Sequence, residues 1–301
     1  MLDYAALSAL VAVVQEGSFE RAAQALHVTP SAISQRIRQL EERVGCALVV
    51  RAQPCEATET GRRLCQHVAH VRLLEHELQA TVPSLTQAGT PADARPVITL
   101  AVNADSLATW LAPALAAYGA QAPVLLSVTV DDQDHTAAWL RSGTVMAAVT
   151  ASAKPATGCN CLPLGAMRYV AAASPAFVAR YLADGVGPAQ LSRAPSLQFN
   201  QKDDLQARWA RRQCGKAVEL PRHTLPSAQA FVTAALAGMG WGLHPEALVK
   251  SHLQAGTLVE LVPRSALMVP LYWQQTRMVS RLLDGLTRHL LKAAHTSLRP
   301  A

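Results

Sequence analysis

The chain has 301 residues, half of them apolar, with 27 basic and 21 acidic side chains. A chain of this length usually divides into two or more domains, and no apolar run approaches the roughly 20 residues that span a bilayer. The N-terminus, MLDYAALSAL, places an acidic residue where a secretion signal carries positive charge. We therefore expect a cytoplasmic protein with no membrane contact.

Neither the cysteines nor the bulk charge identifies a function. The six cysteines are too sparse for a disulfide framework, and the pair Cys159 and Cys161 lacks a second pair at metal spacing. We expect no metal and no cofactor, and we interpret the pair as two loop thiols, with a redox role left open. Residues 1–85 hold eight arginines against nine carboxylates, so net charge does not indicate nucleic-acid binding.

Two helices are predicted at the N-terminus. Leu7, Leu10, Val11 and Val14 follow the spacing of one helix face. Gly17 ends this helix, and Ser18 is a suitable N-cap for a second helix over residues 19–26.

A third helix is predicted to begin at Pro30, after the N-cap Thr29, and to bury Ile33, Ile37, Leu40 and Val44. Its outer face then carries groups that bond base edges and phosphates. A tight turn before such a helix is typical of a helix-turn-helix that places the second helix in the major groove. The alternative is a solvated face of an ordinary helical bundle. The predicted DNA-binding residues are Thr29, Pro30, Ser31, Ser34, Gln35, Arg36, Arg38 and, in the next segment, Arg51.

The segment VGCALVVRAQPCEATETG predicts a small two-stranded wing, which completes a DNA-binding domain over residues 1–58. A long helix follows over residues 59–85, with Leu64, Val71 and Leu78 recurring every seven residues and other apolar residues between them. Pro83 is expected to end or kink it. The apolar seam predicts a homodimer or homotetramer; the alternative is that the helix packs against its own C-terminal domain.

The remainder predicts a hinge at residues 86–96 and an α/β domain at residues 97–301. Apolar strands such as VITLAVN, VLLSVTV and RYVAAAS alternate with helical stretches, which favours a parallel sheet covered on both faces. We expect two doubly wound lobes, the first comprising residues 97–165 and 266–301 and the second residues 166–265. A ligand would lie between them, at the carboxyl ends of the strands.

An enzyme is not expected. The sequence contains no G-x-G-x-x-G, P-loop, H-E-x-x-H or G-x-S-x-G motif. The glycines of GMGWG at 238–242 are interpreted as a tight turn between a helix and a strand, and His244 as a packed loop histidine.

The order of these parts resembles the LysR-type transcriptional regulators. The segment SFERAAQALHVTPSAISQRIRQLEERVGCALVVR is similar to their N-terminal DNA-binding domain almost position for position. The resemblance covers the whole chain, and it implies that the C-terminal region resembles periplasmic solute-binding proteins.

A narrower resemblance rests on AVNADSLATWLAPAL, AQAFVTAALAGMGWGLHPEAL and LYWQ. These stretches are similar to the arginine- and lysine-responsive regulators of basic amino-acid export, some of which are described as inhibitors of chromosome initiation. The resemblance implies a homodimer that binds double-stranded promoter DNA, acts mainly as an activator with RNA polymerase as a partner, and responds to lysine or arginine. The alternative is an origin-binding or architectural chromosome protein with little ligand dependence.

The chemistry of a basic amino acid suggests where it binds. Asn103, Ser106 and the free amides of the helix behind them suit its α-carboxylate, and carboxylates near strand ends suit its cationic side chain. Each such aspartate has the alternative role of capping a helix or facing solvent. The predicted effector-binding residues are Asn103, Asp105, Ser106, Asp131, Asp132, Asp203, Asp204 and Ser227.

Overall fold

The computed structural model describes residues 3–82, 95–131, 139–140, 144–277 and 280–300. Several predictions lie outside the described residues: Asp132, Pro83 and the hinge up to residue 94. Within the described ranges, no helix combines the length and apolar character needed to cross a membrane.

The N-terminal head consists of three helices and a two-stranded antiparallel wing. Its core contains the predicted residues Leu7, Leu10, Ile33 and Ile37, all fully buried. The prediction that Val44 is buried was wrong: it is 36% exposed, because α3 ends there and the chain turns away at Gly45. The elements are α1 (Tyr4–Glu16), α2 (Phe19–Ala25), α3 (Pro30–Val44), β1 (Val49–Val50) and β2 (Glu56–Ala57).

The helix starts of the head follow from capping residues in the sequence. The Ser18 hydroxyl accepts hydrogen bonds from the amides of Glu20 and Arg21, and the Thr29 hydroxyl accepts one from Ala32. Gly17 ends α1 with φ +66°, and a Cβ at this position would lie 2.8 Å from the Cβ of Pro54 in the wing. Glycine is therefore required at this turn for both backbone conformation and space.

The long helix α4 (Glu59–Thr81) follows its cap Thr58, whose hydroxyl accepts from the Gly61 amide, and it contacts both parts of the chain. Val68 packs in the head, whereas Leu73 is fully buried in the core of the C-terminal region. The alternative to a dimer seam, packing of this helix against its own C-terminal domain, is therefore present on one face. On the remainder of the predicted seam, Leu74, Leu78 and Val82 are 37–51% exposed.

The first lobe is built on three parallel strands, with β3 between β4 and β5. The helix α5 follows β3 and begins with Ala104–Ser106, continues as a π-helical turn at Leu107–Leu111 and ends with Ala112–Gly119. The C-terminal helix α11 (Arg281–Ser297) packs against α5. The strands are β3 (Val97–Val102), β4 (Leu125–Val130) and β5 (Ala147–Thr150).

Two long strands, β6 (Cys159–Ala173) and β11 (Leu267–Thr276), connect the lobes and pair antiparallel with each other. The seven-stranded sheet is therefore mixed, and the prediction of a parallel sheet was wrong for these strands. The reason is topological: a chain that crosses to the second lobe on one strand must return on a strand of opposite direction. Cys159 and Cys161 lie in β6, so their interpretation as loop thiols was also wrong.

The second lobe lies between these crossing strands in sequence. Its strands β7 and β8 form a parallel pair, while β9 and β10 each pair antiparallel with β6. His244 lies in β9 and is fully buried, so it is packed as predicted but not in a loop. The elements are α6 (Pro175–Tyr181), α7 (Pro188–Leu191), β7 (Ser196–Gln198), α8 (Leu205–Cys214), β8 (Arg222–Thr224), α9 (Ala228–Leu236), β9 (Gly242–Pro245), α10 (Glu246–Gln254) and β10 (Val259–Glu260).

Candidate DNA-reading face and ligand cleft

Backbone hydrogen bonds in the turn between α2 and α3 fix the orientation of one helix relative to the other. The amide of His27 donates to the carbonyl of Gln24 at 3.2 Å, and the amide of Val28 donates to that of Ala23 at 3.0 Å. His27 has a φ of +53°, which reverses the chain within three residues. The outer face of α3 is thereby held clear of α2, as a helix that enters a groove requires.

The predicted DNA-binding residues all lie at the surface of the head. The Thr29 hydroxyl is partly committed to structure, since it caps α3 and lies 3.0 Å from the Ser31 hydroxyl. Ser34 and Arg36 are half-buried, and the others are exposed: Thr29, Pro30, Ser31, Gln35, Arg38 and Arg51.

Two arginines near this face, Arg38 and Arg51, have intramolecular contacts that leave them available to a DNA phosphate. Arg38 Nε lies 3.3 Å from Glu42 Oε1, and both side chains are more than two-thirds exposed, so the pair contributes little to stability. Arg51, on the wing, lies with its guanidinium 5.2 Å from the centre of the Phe19 ring. This contact orients Arg51 beside the start of α2.

A small cavity lies where strand ends of the two lobes meet. Asn103 follows β3, Asp131 follows β4, Asp203 lies in the loop after β7, and Pro245 ends β9; all four line it. Its volume is about 40 Å³, which is room for a few water molecules. An amino acid therefore requires the lobes to separate or side chains to move. We call this cavity the cleft.

The cleft is strongly acidic. Four of the predicted aspartates line it, and no lysine or arginine is present among its described lining residues. Carboxylates that face one small cavity attract cations and disfavour anions. The four are Asp105, Asp131, Asp203 and Asp204.

The aspartates of the first lobe accept hydrogen bonds from aromatic side chains. The hydroxyl of Tyr169 donates to Asp105 Oδ2 at 2.8 Å, and the indole of Trp139 donates to Asp131 Oδ2 at 2.9 Å. Neither donor was predicted: Tyr169 is 64 residues from its acceptor in sequence, and Trp139 is eight residues from its own. These bonds orient the two carboxylates at the wall of the cleft.

The aspartates of the second lobe have structural partners of their own. Asp203 accepts hydrogen bonds from the amides of Phe199 at 2.9 Å and Leu205 at 3.1 Å. Asp204 forms an exposed pair with Arg208, at 3.6 Å. The alternative predicted for each aspartate, a role in capping or at the surface, therefore applies to part of their hydrogen-bonding capacity.

The predicted serines differ from one another. Ser106 is fully buried in α5, and its Oγ has no hydrogen-bond partner among the described residues. The Ser227 hydroxyl caps α9, accepting from the amide of Ala230 at 3.3 Å. Neither serine lines the cleft, whereas Asn103, buried at the start of α5, does. An unpartnered buried hydroxyl is costly, so Ser106 is available as a ligand donor if α5 shifts.

The cleft residues that the sequence analysis did not predict include two rings in edge-to-face contact, Phe231 and His244. The rings lie 5.9 Å apart in an edge-to-face arrangement. Burial lowers the pKa of His244 to about 4, against an opposing effect of the backbone at Ala172. The ring is therefore neutral at pH 7 and adds no positive charge to the cleft. A pattern of apolar residues alone could not distinguish these two rings from ordinary core.

Two protein-family models match the chain. The LysR substrate binding domain matches residues 91–295, and the bacterial regulatory helix-turn-helix protein, lysR family, matches residues 4–62. Both matched models are of regulatory proteins, in agreement with the absence of enzyme motifs from the sequence.

Individual relatives extend over the full chain. The HTH-type transcriptional regulator ArgP of Pseudomonas fluorescens Pf-5 is 46% identical over 300 residues, covering 100% of this chain and 99% of that protein. The crystal structure of ArgP from Mycobacterium tuberculosis is 43% identical, with a TM-score of 0.85 and all of both chains covered. Full-length LysG from Corynebacterium glutamicum with bound effector Arg is 37% identical, with a TM-score of 0.72 over 99% of this chain and 100% of that chain.

Proposed function

Because the chain belongs to the LysR family of bacterial helix-turn-helix regulators, we propose that lysine or arginine, bound in the cleft, sets its regulatory response at promoter DNA. The observation that carries this proposal is the charge of the cleft: four aspartates face a cavity whose described lining includes no basic side chain. The arginine bound to LysG, a relative 37% identical, supports the same ligand class.

A basic amino acid has one carboxylate and two cationic groups. Asp131 belongs to the first lobe, and Asp203 and Asp204 belong to the second. A cationic group that contacts aspartates of both lobes would therefore hold the lobes together. The carboxylate end suits Asn103, the first amides of α5 and the buried hydroxyl of Ser106. Asp105, held by Tyr169, is the remaining acceptor for the α-ammonium group.

The regulated genes follow from the ligand class. We propose activation of genes for basic amino-acid export, by a homodimer whose two heads contact two half-sites and whose target is RNA polymerase at the promoter. The alternative, an architectural or origin-binding protein with little ligand dependence, provides no reason for an acidic cleft. Footprinting with and without lysine distinguishes the two functions, since only the regulator changes its footprint.

Calorimetry tests the cleft assignment. Asp131→Asn and Asp204→Asn each remove one charge while preserving shape, and Asp184→Asn is the matched control, because Asp184 is an exposed carboxylate away from the cleft. Loss of one partner from a desolvated charge pair typically costs about 2–5 kcal/mol, and the exposed Asp204 should lose less than Asp131. We expect large losses of lysine or arginine affinity for the cleft variants and none for the control. Wild-type protein that binds neither amino acid would contradict the proposal.

Sedimentation tests the homodimer. Leu78→Asp changes an exposed residue of α4, so it should dissociate the oligomer without unfolding the monomer. Arg63→Asp, on an exposed position of the same helix outside the seam, is the control. An intact oligomer of Leu78→Asp would exclude α4 as the dimer contact.

A further inference from the structure

A second cavity lies next to the cleft and shares Pro245 with it. Its volume is about 450 Å³, which is within the range of small-molecule sites. The residues that matter to its chemistry come from α5, β6, α10 and the segment after α11. We call it the rear cavity, lined by Trp110, Arg168, Pro245, Glu246, Lys250 and Arg299.

The rear cavity is basic, in contrast to the acidic cleft, because three basic side chains and one carboxylate line it. Arg168 and Arg299 both contact Glu246, the second with its Nη2 3.3 Å from Oε2. Lys250 has no ion pair among the residues that the structure describes. One carboxylate thus orients two guanidinium groups, and two positive charges remain without a matching carboxylate in the cavity. An anion with two negative charges would balance them.

Uncharged donors surround the same space. The helix α10 begins at Glu246 without a side-chain cap, so its first amides are directed outward at a position where helices favour anions. Trp110 is 5% exposed in the wall, and its indole nitrogen has no hydrogen-bond acceptor among the described residues. Guanidinium, ammonium and amide groups are all donors, and an oxyanion supplies further acceptors beside Glu246. The indole nitrogen is buried, so it donates to such an anion only after the cavity wall shifts.

From this arrangement we infer that the rear cavity is a second ligand site, for a small dianion of the phosphate or dicarboxylate class. Lys250 belongs to α10 of the second lobe, and Arg299 follows α11 of the first, so a dianion between them contacts both lobes. Because Pro245 lines both cavities, this bridge also affects the cleft. The site itself does not depend on the proposed function; its effect on lysine binding does.

Calorimetry on the full-length protein tests the site, with inorganic phosphate and succinate titrated separately at constant ionic strength. We expect at least one dianion to bind and Lys250→Gln to weaken it roughly tenfold, as loss of a charge-assisted hydrogen bond predicts. Lys216→Gln is the control, since Lys216 is an exposed lysine of the same lobe outside the cavity. Binding of phosphate alone or succinate alone identifies the class. Absence of binding by both, or equal weakening by the two lysine variants, would overturn the site.

The coupling is tested by titrating lysine with and without the saturating dianion. A bridge between the lobes should strengthen lysine binding severalfold, and by reciprocity lysine should strengthen dianion binding by the same factor. Lys250→Gln should remove this effect and leave lysine affinity in the absence of dianion unchanged. A lysine affinity that is independent of the dianion would overturn the coupling. Dianion binding in a protein that binds no lysine would contradict the proposed function alone.

Discussion

The DNA-reading head and the cleft are built in different ways. The predicted DNA-binding residues come from 23 consecutive positions, 29–51. Most lie on α3, where their exposure follows from the burial of Ile33 and Ile37 on the opposite face. The cleft takes its side chains from segments spread between Asn103 and Pro245. A site on one helix depends on local structure, whereas a site between lobes depends on the whole fold. The two should therefore respond differently to mutation.

Ile37→Ala gives the largest expected effect. Ile37 is fully buried in the head, so its truncation should lower the free energy of unfolding of this region by about 2–5 kcal/mol. DNA binding should be lost while the cleft still binds lysine, measured by calorimetry. Gln39→Ala, at an exposed position of the same helix, is the control. Loss of lysine binding by Ile37→Ala would mean that the two regions fold as one unit.

Ser106→Ala separates a structural role from a ligand role in the cleft region. Because its buried Oγ has no partner among the described residues, the free energy of unfolding should stay the same or rise slightly. If the hydroxyl donates to the ligand carboxylate, affinity for lysine should fall by about 1.5–3 kcal/mol. Calorimetry and thermal denaturation of the same variant measure the two effects. Unchanged affinity would remove Ser106 from the site.

Gln35→Ala tests whether single side chains of α3 determine the DNA sequence preference. Loss of a bidentate base contact should cost about 1–3 kcal/mol at one base position and change sequence preference. Arg38→Ala should instead weaken binding to all sequences to a similar extent, as a phosphate contact predicts. Binding-site selection measures both. If both variants retain wild-type affinity and preference, α3 is not the recognition helix.

Glu77→Gln addresses the connection between the two regions and has the smallest effect. Glu77 on α4 accepts hydrogen bonds from the Ser280 hydroxyl at 2.6 Å and the Leu282 amide at 3.1 Å, at the start of α11. Burial raises the pKa of Glu77, but these bonds, the backbone amide of Arg281 and the charge of Arg281 outweigh it and lower the pKa below its usual 4.5. The substitution should cost about 1 kcal/mol, as for other helix caps.

The pH dependence of this contact has a defined sign. A lowered folded-state pKa stabilises the protein above pH 4.5, and this contribution is lost as the pH falls below that value. Denaturation of wild type and Glu77→Gln between pH 7 and pH 3.5 should therefore converge on acidification. Ser280→Ala should cost more stability at every pH, since it removes the hydroxyl bond to Glu77 and also the cap that the Leu283 amide uses. Parallel curves would show that Glu77 does not act as an ionised cap.

Sequence alone determined the head almost completely. The caps Ser18 and Thr29, the glycine at position 17 and the apolar spacing of α1 and α3 are signals between residues a few positions apart, and backbone geometry makes them sufficient. The strands VITLAVN and VLLSVTV were also predicted where β3 and β4 lie, but β6 was predicted too short, as RYVAAAS alone. Pro163 interrupts its apolar pattern, at the place where its register with β11 shifts.

Only the tertiary structure decided which way the crossing strands run and what completes the cleft. The bonds from Tyr169 to Asp105 and from Trp139 to Asp131 depend on how separate segments pack. The same holds for Glu246, which gathers Arg168 and Arg299 from positions 78 and 53 residues away. Local spacing constrains neighbours along a helix or strand, but contacts between distant segments depend on topology and core packing. The amino-acid types in the cleft could therefore be read from the sequence, while their arrangement and the basic cavity behind it could not.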